Sequence, residues 1–571
     1  MRIAEYQSAI GNLQSAIRLM DLRFFTKEAR HETAERLHAP LRKGWRPLAP
    51  VRRAIARLEQ QRWCLPALAL FFLVCAVQIL SSSLPLRLGA RSVLGLYLLV
   101  AFLLGSLAAY VWALQPKELR RPRNLALVGT VLLLVLVLNH IGVVVINSLR
   151  QSYSHIPLSA MRAALPVPLG GVLLTVLFNA RLAFAGSLVL TILTGIMVAA
   201  PIDYLLYSFV GSLVGVFALA RHRERMAFFR AGAMLALANA YILVGFSLLD
   251  AHLTALFAEI VGGLVNGAIV AVLATGLLPF LEHSFGRTTD FTLLELSNLN
   301  EPILRHLAVV SPGTYHHSIM VGTLTETAAE AVGANVLLCR VGAYYHDIGK
   351  TRHPAYFIEN NPDAASRHNK LAPSLSRAIV MSHVKEGMEM ARDYGLPEIL
   401  VDMIPQHHGT RLVAYFYHRA KESTDPELQE VREEEYRYPG PKPQSREAAI
   451  IMLADAVEAA ARTLNDPTPA RIQGAVQKII NMIFVDGQLD ECDLTLRDLH
   501  RIANSFSRIL AGIFHHRVDY PGIELEGATK KRNENGDQPA KPAKEDSGRD
   551  ALPKKGGAAG TVHAGVPRGG V

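Results

Sequence analysis

The stretch AYYHDIGK, residues 343–350, ends the apolar run NVLLCRVGAYY (335–345) with a histidine and a carboxylate, His346 and Asp347. The run has the composition of a buried helix. An unpaired charge there costs several kcal/mol, so Asp347 must be paired, protonated or bound to a metal. Its neighbours decide which.

Working outward, helical periodicity and capping signals continue, and no run of alternating strands appears. SPGTYHHSIMVGTLTETAAEAVG (311–333) reads as a helix with Thr314 as N-cap and Gly333 as C-cap, placing His316 and His317 in its first turn. A second helix over 334–348 carries His346 and Asp347 and stops at Gly349. A third, at 374–395, carries His383, and a fourth, from Leu396, ends in His407 and His408 before Gly409. KESTDPELQEVREEEYRYPGPKPQ (421–444) is charged and then Pro-rich, a loop. SREAAIIMLADAVEAAARTL (445–464) is again a helix, with Asp455 among apolar neighbours.

A lone histidine on an apolar face is ordinarily a satisfied core residue, and a buried Asp often caps a helix or pairs with Arg. Here His and Asp recur on successive helices, at points where each helix is otherwise apolar or ending. Two adjacent pairs, His346-Asp347 and His407-His408, allow one residue to ligate while its neighbour ligates a second ion or orients the first. Imidazole with carboxylate suits Fe, Mn, Zn or Ni better than Ca or Mg. His353 and His368, in the loop at 351–370, read as solvated. His515, His516 and His563 lie far from the others in sequence.

The N-terminal half is of another kind. The chain has 571 residues, 50% hydrophobic, with a formal net charge of +10. The basic residues gather in the N-terminal segment, the short loops and the tail, which favours a membrane surface over nucleic acid as partner. The cytoplasmic half shows no basic stripe with interleaved aromatics. Residues 1–62 read as a basic cytoplasmic segment, too long and charged for a cleavable signal. Apolar segments of about 20 residues follow at 63–82, 92–114, 124–146, 157–178, 182–200, 202–220, 228–249 and 255–281, eight spans in all.

With the N-terminus inside, QPKELRRPRN and RHRERMAFFR fall inside and the less basic loops outside. An even number of spans then returns residue 282 onward to the cytoplasm. Arg162, Asp203 and Glu259 are charged residues within spans, and they form no sequence pattern of an ion path. His140 stands alone near the end of the third span. Cys64, Cys75, Cys339 and Cys492 form no C-x-x-C pair, so neither a disulfide framework nor a cysteine zinc site is indicated. The fold expected is all-α: a polytopic bundle at 63–281, an all-helical cytoplasmic domain at 282–526 and a disordered tail at 527–571.

The series carried on YHHS, YYHDIGK, SHVKEG, QHHGT and LADAVEAAART resembles the HD-domain phosphohydrolase superfamily. With LEHSFGRTTDFTLLELSN, YRYPGPKPQSREAAI and DGQLDECDLTLRDL it is similar, over about residues 92–522, to the seven-transmembrane HD family of bacterial cyclic di-AMP phosphodiesterases. That resemblance implies two divalent transition-metal ions, Mn or Fe. His317, His346, Asp347 and Asp455 would surround one, and Asp347, His383, His407 and His408 the other, with Asp347 as bridge. It leaves His316 out of the ligand set. It also implies hydrolysis of cyclic di-AMP to pApA in second-messenger signalling, at the inner membrane of a bacterial cell.

In that scheme Asp347 is catalytic as well as a ligand. Lys350, one turn after His346, would meet a phosphate oxygen as a catalytic and substrate-binding residue, although a Lys past a helix end is also a favourable dipole partner. A homodimer is allowed but not required. Two features depart from or refine the likeness. Only SSSLPLRLGARS joins spans one and two, where the family carries a large extracellular domain. GTRLVAYFYHRA follows His408 in place of the DGxGYP of the cyclic di-GMP subgroup. The alternatives are an HD phosphohydrolase of another nucleotide or phosphoester, and a receptor that binds nucleotide without turnover.

Overall fold

The computed structural model describes residues 64–514 except 85–88, 116–119, 221–225, 250–253, 424–429 and 465. The N-terminal segment at 1–62, the tail at 527–571 and His515, His516 and His563 lie outside the described residues.

Among the described residues, seven helices are long and apolar enough to cross a membrane. They are α1 (Cys64–Ser83), α2 (Ala90–Leu114), α3 (Pro122–Ser152), α6 (Ala180–Met197), α7 (Ile202–Ala220), α8 (Ala227–Leu249) and α9 (Leu256–Phe285). Between α3 and α6 the chain forms two short helices, α4 (Leu158–Ala163) and α5 (Leu169–Leu177). The continuous fourth span expected over 157–178 is therefore corrected to a broken one. The cause lies in LPVPLGG (165–171): Pro166 and Pro168 each lack an N–H and disfavour helical backbone in the preceding residue.

Such a break is tolerated at membrane depth only where protein or a cavity satisfies the freed backbone. Here protein does so. Tyr207 donates its hydroxyl to the Ala163 carbonyl at 2.8 Å, Asn266 donates Nδ2 to the Leu165 carbonyl at 2.5 Å, and Asn239 in turn donates to Asn266 Oδ1 at 3.2 Å.

The two pieces together still traverse the bundle. Arg162 on α4 meets the Val198 carbonyl just past α6, and the α4 backbone at Ala160 closes on Gly262 in the second turn of α9. At the other end the Leu177 carbonyl, closing α5, accepts from Arg287 beyond α9 at 3.1 Å. Among the described residues, seven long helices and one broken pair thus give an even number of passes through the bundle. The bundle core is formed by residues such as Leu127, Val135, Leu173, Leu190 and Leu193. Phe102, Leu98 and Leu237 stay exposed on the outer face, as a lipid-facing surface requires.

Helix α9 leads into a second helical body built of α10 (Asp290–Leu296), α11 (Pro302–Val310), α12 (Pro312–Val332), α13 (Val336–Tyr345), α14 (Ala364–Asn369), α15 (Pro373–Asp393), α16 (Glu398–Gln406), α17 (Ala414–Ser423), α18 (Arg446–Ala461), α19 (Pro469–Val485) and α20 (Leu496–Ile513). No strand occurs among the described residues; one isolated bridge joins Leu412 to Arg437. Two apolar cores fill this body. One packs α18 against α12, α19 and α20 through Leu324, Leu453, Ile480 and Phe506, and the other gathers Val341, Tyr345, Ile404 and Ile451.

Local boundaries differ from expectation in two places. Helix α12 starts a turn earlier than its sequence suggested, with Ser311 as N-cap and Pro312 in first position, so Thr314 lies inside the helix and His316 and His317 fall in its second turn. Gly333 caps its other end with a left-handed backbone, φ 70°, as expected. Helix α13 is shorter than 334–348: Asn335 caps its start and His346 its end, and a 3-10 turn, Ile348–Thr351, follows Asp347.

Candidate metal centre

The site is built from two helix ends and from positions within α12, α15 and α18. His346 and Asp347 stand where α13 gives way to the 3-10 turn, His407 and His408 just past α16, His383 in the middle of α15, His317 near the start of α12, and Asp455 midway along α18. The turn after Asp347 packs directly on α15. A Cβ at Gly349 would lie 1.9 Å from the His383 carbonyl oxygen, so only glycine permits this approach.

Two groups of side chains result. His317, His346, Asp347 and Asp455 form one, and Asp347, His383, His407 and His408 the other; within each, the candidate ligand atoms lie within 4.8 Å of one another. Asp347 belongs to both. Its Oδ2 is 3.2 Å from His346 Nε2 and 3.7 Å from His317 Nε2, while its Oδ1 is 3.4 Å from His383 Nε2 and 3.7 Å from His407 Nε2.

The protonation pattern shows what belongs between these atoms. His346, His383 and His407 each direct Nδ1 at the backbone carbonyl three residues back, of Ala343, Val380 and Ile404, at 2.5–2.6 Å. A carbonyl only accepts, so Nδ1 carries the hydrogen and each neutral ring presents a bare lone pair at Nε2. All three Nε2 atoms and both oxygens of Asp347 are buried without a hydrogen-bond partner. Five acceptors converging in a dry site repel one another; cations between them remove the conflict. The donor set therefore fits divalent transition metals held by imidazole and carboxylate.

Electrostatics point the same way. Burial would raise the Asp347 carboxyl, but the Lys350 ammonium reverses this and holds it well below the usual carboxylate range. Burial pushes His407 down to about 3 and pushes His408 well below the usual imidazole range. His317 is the exception. Burial lowers it, yet hydrogen bonds to Asp455 and Glu458 lift it to about 10, so the surroundings of this nitrogen hold positive charge strongly.

Three contributors have no signal in the motif pattern. Glu458, one turn beyond Asp455, accepts from His317 Nδ1 at 2.7 Å and is itself held by Arg462. Glu359, from the loop after the 3-10 turn, lies 2.8 Å from Lys350 Nζ and also accepts from Thr314. Tyr438, from the Pro-rich excursion, stacks on His408 with ring centroids 4.2 Å apart. The spacing Asp455-x-x-Glu458 is the one trace of these in the sequence, since residues three apart share a helix face.

Lys350 is enclosed. Its Nζ lies 2.8 Å from Asp347 Oδ2, an ion-pair contact without hydrogen-bond geometry, and 2.8 Å from Glu359 Oε1. Its ammonium also stands 5.1 Å above the Phe357 ring.

Other histidines stand apart from both groups. His316 meets Arg462 on the outer side of α12. His353 is half exposed beside Glu386. His368, expected to be solvated, is buried against Tyr356 and Phe416, because α14 folds the loop back onto the body. His140 bonds Ser83 inside the bundle, at 2.6 Å.

Comparison with known proteins matches both halves. Residues 90–289 fit the family model described as 7TM receptor with intracellular HD hydrolase, and residues 314–460 fit the HD domain model. The chain belongs to the seven-transmembrane HD family. The cyclic-di-AMP phosphodiesterase PgpH of Bacillus subtilis is 46% identical over 377 residues, 64% of this chain and 52% of that one. PgpH of Listeria monocytogenes is 46% identical over 250 residues, 44% of this chain and 34% of the relative. The chain thus spans about half the length of the first relative and a third of the second. A crystal structure of the L. monocytogenes PgpH HD domain in complex with cyclic-di-AMP aligns at 46% identity, covering 38% of this chain and all of that one, with a TM-score of 0.36. Both candidate ligand groups lie within the residues 314–460 that fit the HD domain model.

Proposed function

We propose that this protein is a membrane-anchored, metal-dependent phosphodiesterase that opens cyclic di-AMP to linear pApA, with its HD domain on the cytoplasmic face. The observation that carries the reading is the convergence of three bare imidazole nitrogens on the two unbonded oxygens of Asp347. The names of two relatives at 46% identity supply the substrate class. The even number of crossings, with the basic loops inside, supports the sidedness.

In this reading His317, His346, Asp347 and Asp455 hold one divalent ion and Asp347, His383, His407 and His408 the other, Mn or Fe by donor type. When bound, two such ions supply Lewis acidity at the phosphoryl group and lower the pKa of a water. The chain's own residues do the rest. The carbonyls of Ala343, Val380 and Ile404 fix the tautomer of three rings, so no proton has to leave Nε2 before ligation. Glu458 orients His317, and the stacked Tyr438 fixes the plane of His408. Lys350, steered by Glu359, places a fixed positive charge beside Asp347, where it meets a non-bridging phosphate oxygen.

The test is to purify the full-length chain in lipid nanodiscs, load it with Mn²⁺ or Fe²⁺, and supply cyclic di-AMP, cyclic di-GMP and pApA in parallel. Chelator-sensitive conversion of cyclic di-AMP to pApA, absent in Asp347→Ala, is expected. Turnover of another phosphoester in preference would move the substrate assignment, and metal binding without any turnover would favour the non-catalytic receptor.

A further inference from the structure

Arg162, Asp203 and Glu259 show no common pattern in the sequence, yet the fold gathers them. All three line a cavity of about 120 Å³ at the end of the bundle away from the HD domain, together with Tyr204, Tyr207 and Ser247. They come from three separate elements: Arg162 from the broken helix α4, Asp203 from the first turn of α7, and Glu259 from the first turn of α9.

A charge inside a membrane bundle is expensive and persists where it pairs or serves a site. These charges do not pair with one another. Arg162 donates one nitrogen to the Val198 carbonyl at 2.8 Å, Glu259 Oε2 accepts from Ser247 at 3.3 Å, and the buried Oδ1 of Asp203 has no hydrogen-bond partner. Among the described residues no ion pair joins Arg162 to either acid. The helix dipole gives an ordinary reason for an acid in the first turn of α7 and of α9. It likewise favours a cation in the last turn of α4, where Arg162 stands; what it leaves unexplained is that the three charges line one space without pairing.

We infer that this cavity is a binding site for a small zwitterion of the α-amino-acid type, its carboxylate taken by Arg162 and its ammonium by Asp203 and Glu259. A simple anion would face two carboxylates, and a simple cation would leave Arg162 without an anionic partner. A molecule carrying both charges a few ångströms apart satisfies all three groups at once. The volume admits a molecule of a few heavy atoms. Arg162 stands on α4, the first piece of the broken span, whose second piece, α5, ends at Leu177 against Arg287, between α9 and α10.

The inference is independent of the phosphodiesterase reading, and so is its test. The full-length chain in lipid nanodiscs is titrated with glycine, L-alanine and L-serine, with propionate and ethylamine as single-charge counterparts, and its thermal unfolding midpoint is followed. At least one amino acid should raise the midpoint saturably at concentrations below about 10 mM, with each counterpart at least about tenfold weaker. Glu259→Gln and Arg162→Gln should each weaken the effect about tenfold or more. Glu259→Gln decides the matter if the loss of the Val198 contact prevents Arg162→Gln from folding. An absent response to all three amino acids, an equal response to ethylamine or propionate, or an undiminished response in Glu259→Gln would overturn the inference.

Discussion

His317 directs Nδ1 at Glu458, 2.7 Å away and 141 residues later in the chain, while its Nε2 faces Asp455 at 3.1 Å. The carboxylate thus fixes the ring orientation and makes the inward nitrogen more basic. Loss of such a partner typically weakens metal affinity about 10–100-fold. Glu458→Ala should show a weakening of that order in a Mn²⁺ titration against a competing chelator. An unchanged affinity would mean that Glu458 serves only the α12–α18 contact.

Lys350 and Glu359 form a second linked pair. In the metal-free protein Lys350 is the cation that offsets buried Asp347, and removing one partner of a buried pair costs about 3–5 kcal/mol. Lys350→Met should therefore lower the thermal midpoint of the metal-free protein more than that of the Mn²⁺-loaded protein. Metal stoichiometry should stay unchanged, and kcat should fall about 10²-fold or more. Equal destabilisation of both forms would show that the lysine is needed for packing alone.

The residues of the candidate site were legible because they break a pattern: histidine and aspartate at the ends of apolar helices, as in YYHDIGK and QHHGT. Their supports were not. Glu359 and Tyr438 arrive from segments that read as polar loops, and their contacts depend on how those loops fold back. The gathering of Arg162, Asp203 and Glu259 was equally hidden, because hydropathy locates a span without saying which face meets which neighbour. The break in the fourth span did have a local signal, two prolines in LPVPLGG, outweighed by the apolar composition around them.

Gly349 is tied to the site by space. A methyl group there meets the His383 carbonyl at 1.9 Å and the Gly387 nitrogen at 2.6 Å, both backbone atoms. Gly349→Ala should destabilise the protein by about 1–3 kcal/mol, read as a lowered thermal midpoint, and should cut activity by separating Asp347 from His383. Wild-type stability and activity in this variant would contradict the observed packing.

Asn266 closes the broken span by donating to the Leu165 carbonyl. Asn266→Leu leaves that oxygen and Asn239 without this partner, and should destabilise the bundle by about 0.6–1.7 kcal/mol, the range of interhelical hydrogen bonds in membranes. Denaturation in mixed detergent micelles measures this, and no loss would show that another donor reaches the break.

The central claim is that one carboxylate, Asp347, joins two metal sites. The direct measurement is the metal content of the purified full-length chain after Mn²⁺ loading and desalting, beside that of Asp347→Asn. The account expects two ions per chain in the wild type and loss from both sites in the variant. A single ion per chain, or two ions retained in Asp347→Asn, would contradict it.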